Sequence, residues 1–478
     1  MNIDSVTNDK LEQFFDSLTP QAAIQLVQLI EQGRRAGKDD PMFDSIMVHA
    51  RSVLREAGLN IDRLPSVKRR FCLPFEDLLV TGRQFEKYKG QINRSSIQPI
   101  WEWLHKSLLA DELPKLSVML EQVLDEGDVK QANQLCRQLY ALCSKALLTA
   151  IKSAEESEGQ KEKRLLSMQL GNECVLEDAR EMAISLALAD EIAEVKKQLP
   201  ESITELDGEV LNYCVQLYNK FISKVPDHPE IFLAILKSRL KYQGQVMRVA
   251  KKLLLKEDDS AIAASKHGAA GEMLLSGMEL IVHEIGEAVR LHEPAKDILH
   301  RMRLFYKMAK EFTSEIRINM KGIWGQRLVE ARKQIALLIE QEISPVQRLI
   351  REALLGRGSI LKSRKSPAAR RELDPDSLRE AERALKILIG SRFLGEQLSL
   401  SVKIHQYIKE NKQYIDSITE RNIAQIKSKS PEESQQAMDS LKASLSLIRI
   451  VQGEEMADLI WRRGQAALAM LDQEEATG

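Results

Sequence analysis

Aromatic side chains are scarce in this chain of 478 residues, at 5%, and neither sign of charge dominates, the formal net charge being −1. Scarce aromatics, against abundant Leu, Ile, Ala, Glu, Lys, Arg and Gln, argue against a sheet-rich fold. Those straight side chains lose little rotamer freedom in a helix, whereas sheets draw on Val, Thr and Tyr. Near-neutrality argues against a uniformly basic nucleic-acid binder. The five cysteines, Cys72, Cys136, Cys143, Cys174 and Cys214, are an odd number, and none lies in a C-x-x-C pair. That usage fits reduced thiols in helix cores and a cytoplasmic protein. Apolar runs stop short of a membrane span: the nearest, 268–291, carries Glu272, Glu279, Glu284, Glu287 and Arg290. The start, MNIDSVTNDKLEQFF, lacks the basic-then-apolar pattern of an export signal.

Catalytic and cofactor patterns are also missing. The sequence has no G-x-x-x-x-G-K-[ST], no G-x-S-x-G and no G-x-G-x-x-G ahead of a helix. The eight histidines make no H-E-x-x-H. His283 shares a helix face with Glu279 and Glu287, a trio better explained by surface pairing than by a metal. Cys136 and Cys143, seven apart on one apolar face, read as packing rather than nucleophiles. No cofactor, metal or catalytic residue is expected.

What is present is segregated charge. Residues 151–230 hold 9 basic and 17 acidic side chains, whereas residues 231–371 hold 27 basic and 15 acidic. Such blocks imply an electrostatic role: the basic part faces an anionic partner or the acidic part of its own chain, where Glu155, Glu156, Glu158, Glu173, Glu177, Asp178 and Glu181 cluster.

Helical signals fill the chain. Thr19-Pro20, Asp40-Pro41, Ser344-Pro345, Asp374-Pro375 and Ser430-Pro431 each set a capping side chain before a proline at the first helical position. Ser344 with Gln347, Ser430 with Glu433 and Asp227 with Glu230 read as capping boxes. Long intervals carry no proline: 115–199, 230–293, 295–344 and 376–430. Ala132, Leu135, Leu139, Leu142, Ala146 and Ala150, widened by Cys136, Cys143 and Leu147, form one amphipathic stripe. Ile298, Met302, Phe305, Ala309, Phe312, Ile316 and Ile323 form another.

The expected fold is all-α: a multi-lobed helical protein of antiparallel helix pairs and long helices with a C-terminal helical bundle. Residues 1–110 form an N-terminal region of three short helices, with an irregular aromatic and basic segment at 66–82 that Pro74 interrupts. Residues 111–265 form helical hairpins, turning at Gly127-Asp128, 157–163, Pro200 and Pro226-Asp227. Residues 266–355 form long helices broken near Glu293 by Pro294. Residues 356–373 form a basic linker with Arg357, Lys362, Arg364, Lys365, Arg370 and Arg371 around Ser359, Ser363 and Ser366. Residues 374–478 hold four helices near 376–389, 396–428, 431–450 and 453–472. No internal repeat is convincing, and no strict heptad is held long enough to assert self-association.

Two surfaces stand out. A helix over 296–333 aligns Lys296, Arg303, Lys307, Lys310, Arg317 and Lys321 three, four or seven apart, a row suited to phosphates. Arg69, Arg70, Phe71 and Phe75 with Trp103 form the second, Trp101 being assigned to the apolar stripe. The competing reading makes Phe71, Phe75 and Leu78 a plug between N-terminal helices. The expectation is a non-enzymatic scaffold, adaptor or regulator whose partner is a protein. The alternatives are a nucleic acid or other polyanion on 296–371, or an enzyme whose site no motif reveals.

Overall fold

The computed structural model describes residues 14, 18–35, 46, 67–80, 89–126, 128–156, 161–355, 374–395, 400–427 and 431–477. The basic linker 356–373, most of the first three helices and the Ser430 cap lie outside them. The chain is all-α. Its helices are α1 (Pro20–Arg35), α2 (Val67–Cys72), α3 (Ile97–Trp103), α4 (Glu112–Glu126), α5 (Val129–Glu156), α6 (Lys161–Leu170), α7 (Glu173–Ala187), α8 (Ala189–Gln198), α9 (Gly208–Lys224), α10 (Pro229–Arg239), α11 (Met247–Leu254), α12 (Asp259–Ala263), α13 (Ala269–Arg290), α14 (Ala295–Glu315), α15 (Ile323–Ile343), α16 (Val346–Leu355), α17 (Pro375–Gly390), α18 (Ser401–Ile426), α19 (Pro431–Gln452) and α20 (Glu454–Thr477). The one sheet among the described residues is a parallel pair, β1 (Leu79–Val80) with β2 (Ile92–Asn93), in register Leu79 to Ile92. No helix among the described residues is long and apolar enough to cross a membrane.

The chain divides into two compact units, Met1–Leu280 with Met308–Arg327, and Ile281–Lys307 with Leu328–Gly478. In the first, α10 is the central helix. Ile231 through Leu236 are all buried, so it has no solvent face, as its nearly unbroken apolar run requires. Phe232 meets Tyr218 and Phe221 of α9 at ring distances of 5.4 and 5.9 Å. Each large side chain so buried favours the fold by about 1.5–3 kcal/mol. The expected capping box at Asp227 and Glu230 is not used: His228 is the N-cap, and its Nδ1 lies 2.9 Å from Glu230 Oε1. Glu230 is buried and its carboxylate meets His228, so it does not reach back to cap the turn.

Helix α5 buries Ala132, Leu135, Cys136, Leu139, Cys143, Leu147 and Ile151, while Leu142, Ala146 and Ala150 are half-buried flanks. The wider set of residues is therefore the true core face. Arg248 of α11 grips Glu315 through two bonds of 2.8 and 2.9 Å, and Lys251 Nζ donates to the Glu315 carbonyl. Trp324 is buried against Phe312, its indole donating to Glu272, and Gly271 leaves room for the ring: a Cβ there would lie 2.4 Å from it.

The second unit is tied by charge as well as packing. Arg383 of α17 donates to the Glu293 carbonyl at 2.7 Å and to Glu342 at 2.6 Å, while Arg301 pairs with Glu293. Asp374 caps α17, accepting from Asp376 N and Ser377 Oγ. In α18 the buried stripe of Ile404, Ile415, Ile418 and Ile426 includes Asn422, whose amide donates to Ser440 of α19 at 2.9 Å. Helix α20 follows α19 after Gly453 alone, which has φ +92°, and at Gly464 a Cβ would come 2.4 Å from Leu441. Helices α13, α14 and α15 each contribute residues to both units.

Candidate functional site

The aromatic and basic segment folds inward. Helix α2 ends at Cys72, and Pro74 sits at the start of a 3-10 turn, Leu73–Leu78. Phe71 and Phe75 are fully buried and meet edge-on at 5.4 Å, and Leu78 is buried beside them. Trp103 is also buried, at 7% exposure. These three aromatics are therefore packing residues and cannot be presented to a partner, which corrects the expectation for Phe71, Phe75 and Trp103. The reason is phase. Ile97, Ile100, Trp103 and Leu104 form the buried stripe of α3, and Trp101 lies on its flank. Arg69 is largely covered beside Glu76, 3.9 Å away, and the Arg70 carbonyl accepts from the Tyr140 hydroxyl at 2.8 Å.

That packing builds a surface pocket from residues the composition did not single out. Trp101 rests on Phe71, ring centroids 4.9 Å apart, and the His105 ring lies against Trp101 at 5.1 Å. Helix α3 continues into a π turn, Leu104–Leu108, closed by Leu109 N donating to Leu104 O at 2.9 Å. Such turns re-aim side chains and recur at functional positions. Beside the rings runs a polar ladder. Lys68 Nζ donates to Gln98 Oε1, Gln98 Nε2 donates to Glu102 Oε1 at 2.6 Å, and Lys106 Nζ donates to Glu102 Oε2 at 2.7 Å. The Lys106 and Gln98 bonds hold the Glu102 carboxyl below its ordinary range, so it stays ionised. Partial burial lowers the His105 pKa and favours the neutral ring. Gln98, Trp101, Glu102, His105 and Lys106 line an open cavity of about 330 Å³. The signal in the sequence was the double i, i+4 spacing, 98-102-106 and 101-105, which places both rows on one face.

The basic row does not survive whole. Lys296, Arg303, Lys307 and Lys310 are exposed on α14, but α14 ends at Glu315, so Arg317 and Lys321 are not on it. The chain is drawn off the helix by the 257–259 segment: Arg317 N donates to Glu257 O at 3.1 Å and Asn319 N to Asp259 Oδ2 at 3.0 Å. Gly325 allows the return, since a Cβ there would fall 2.1 Å from Asn319 O. Ile323, expected on the buried stripe, is 73% exposed as the first residue of α15. Lys296, Arg303 and Lys307 belong to one unit, and Lys310, Arg317 and Lys321 to the other. The Arg303 guanidinium lies 5.5 Å above the Phe393 ring, which Tyr306 meets edge-on at 6.1 Å. Phe393 was missed because nearly 90 residues of sequence separate it from Arg303.

Much of the acidic block is satisfied locally. Glu173 pairs with Lys163 at 2.9 Å, Glu155 pairs with Arg180, and buried Asp178 accepts from Ser96 Oγ at 2.5 Å and Asn93 N at 3.3 Å. Arg239 with Glu201 and Arg248 with Glu205, at 3.8 and 3.9 Å, are long contacts to the basic block.

Other titratable groups bind one another. Burial, and then Glu230, raise the Glu181 carboxyl pKa, while the bond to Glu230 raises that of His228. Glu279 is held by Arg327 through bonds of 2.7 and 2.8 Å, and Glu287 by Arg290, so neither is set for a metal with His283. Among the described residues no group of three or more His, Cys, Asp or Glu could hold a metal ion. Burial pushes the Cys72 and Cys143 thiols up to about 12 and Cys214 up to about 11, so they stay protonated. No protein-family model, curated protein or solved structure matches this chain.

Proposed function

We propose that this chain is a non-catalytic helical scaffold or adaptor that binds a protein partner through the Trp101 pocket. The observation that supports the reading is the half-buried Trp101 ring beside His105, framed by a hydrogen-bonded row of Lys68, Gln98, Glu102 and Lys106. A Trp already packed on Phe71 loses little freedom when a partner covers it, and such anchors carry a large share of interface energy. The volume suits one or two inserted side chains. The polar row supplies specificity more than affinity, because its cations already have acceptors. The five cysteines form no disulfide with one another, which fits residence in the cytoplasm.

The test is affinity capture from nuclease-treated lysate with wild type, Trp101→Ala and, as control, Leu165→Ala at an exposed apolar side chain elsewhere. Trp101→Ala is expected to weaken recovery of a specific protein by roughly tenfold or more, with a lowered melting temperature that still leaves the chain folded at the capture temperature, while the control recovers it fully. Equal recovery by all three would remove the pocket from the interface.

A further inference from the structure

We propose that the exposed face of α14 formed by Lys296, Arg303 and Lys307, together with Phe393, binds single-stranded nucleic acid. This surface is separate from the Trp101 pocket and belongs to the other unit. Between positions 296 and 307 the exposed residues of α14 are Lys296, His300, Arg303, Leu304 and Lys307, with no acid among them. The one acidic side chain in that span, Asp297, is buried. The helical rise of about 1.5 Å per residue sets Arg303 and Lys307 about 6 Å apart along the axis, a spacing at which neighbouring phosphates can be met.

Charge alone would suit any polyanion, and Phe393 narrows the choice. Its ring is 37% exposed on the 3-10 turn Ser391–Leu394, braced edge-on by Tyr306 and overlaid by the Arg303 guanidinium. The turn is held against α14 because Gly390 has no side chain: a Cβ there would lie 2.3 Å from Leu299 Cδ1. An anchored ring with a cation beside it is a platform on which an unpaired base stacks while its phosphate meets the guanidinium. Duplex bases hide their faces in the stack, so a duplex can use only the cations. A lipid surface would call for a broad face of bulky apolar side chains, and α14 exposes Leu304 alone over this span.

The test is fluorescence anisotropy of a labelled oligothymidylate with the full chain, alongside a labelled duplex, heparin and phosphatidylserine vesicles. Wild type is expected to bind the single strand more tightly than the duplex, with affinity falling steeply as salt rises from about 50 to about 200 mM. Phe393→Ala, and Phe393→Leu, which keeps the apolar bulk but cannot stack, are each expected to weaken oligothymidylate binding by roughly tenfold and leave heparin binding unchanged. Arg303→Glu combined with Lys307→Glu is expected to remove both. Melting temperatures identify any variant that fails to fold, and the remaining ones then decide. The proposal is overturned by the absence of salt-sensitive oligothymidylate binding, by indifference to both Phe393 variants, or by tighter binding to the vesicles.

Discussion

Trp101 and Phe393 are both partly exposed rings set beside cations, yet their surroundings are opposite in kind. Around Trp101 the cations are held in place: Lys106 is paired with Glu102 and Lys68 donates to Gln98, so the pocket lining carries one paired charge of each sign and fixed polar edges. Beside Phe393 the Arg303 guanidinium lies on the ring itself, on a helix face that exposes no acid between 296 and 307. A ring with neutralised neighbours selects by shape and hydrogen bonding, and its binding should change little with salt. A ring on a basic face without exposed acid selects for anions, and its binding should fall as salt screens the charges.

The largest way to break this contrast is to remove the ring beneath Trp101. Phe71→Ala, at a fully buried position, is expected to cost about 3–5 kcal/mol in chemical denaturation and to abolish partner capture through the pocket, while leaving oligothymidylate binding intact. A smaller effect of the opposite pattern is expected from Gly390→Val. Its side chain would strike Leu299, costing about 1–3 kcal/mol by overpacking. It would also move the Phe393 turn off Arg303, so the oligothymidylate affinity should drop while partner capture through Trp101 stays unchanged.

The smallest effect sharpens the comparison by pH. The folded-state pKa of His105 is lowered by burial, so the unfolded chain takes up its proton more readily. Its contribution is fully present above the unfolded value of about 6.5 and is lost as pH falls through the lower folded value. Stability measured by denaturant midpoint should therefore decline slightly more between neutral pH and mild acid in wild type than in His105→Gln. Equal declines would place the His105 ring in free solvent.

The pocket and the platform were legible to different degrees. Helix α5 was readable because its apolar spacing repeats over about five turns, and the stripe that forms is the expected one turned slightly toward Cys136, Cys143 and Leu147. The last four helices fall close to their expected bounds, because Asp374-Pro375 and Gly453 punctuate them. Trp101 and Trp103 were exchanged because both lie within reach of the same stripe, and only the phase set by Ile97, Ile100 and Leu104 separates them. The row through Arg317 and Lys321 failed for a different reason. Continuing α14 would have forfeited the bonds that Arg317 and Asn319 make to the 257–259 segment, a competition that no local pattern records.

By itself the sequence determined that the chain is helical, roughly where the last four helices start and stop, and that Lys296, Arg303, Lys307 and Lys310 share a face of α14. Those properties follow from local propensity, capping and period. Tertiary structure alone decided that Phe71 lies under Trp101, that Lys68 reaches Gln98 from another helix, and that Phe393 comes to rest beneath Arg303. A helix face has its composition before folding. Whether that face turns inward, is neutralised, or meets a ring from far along the chain depends on which surfaces pack against it.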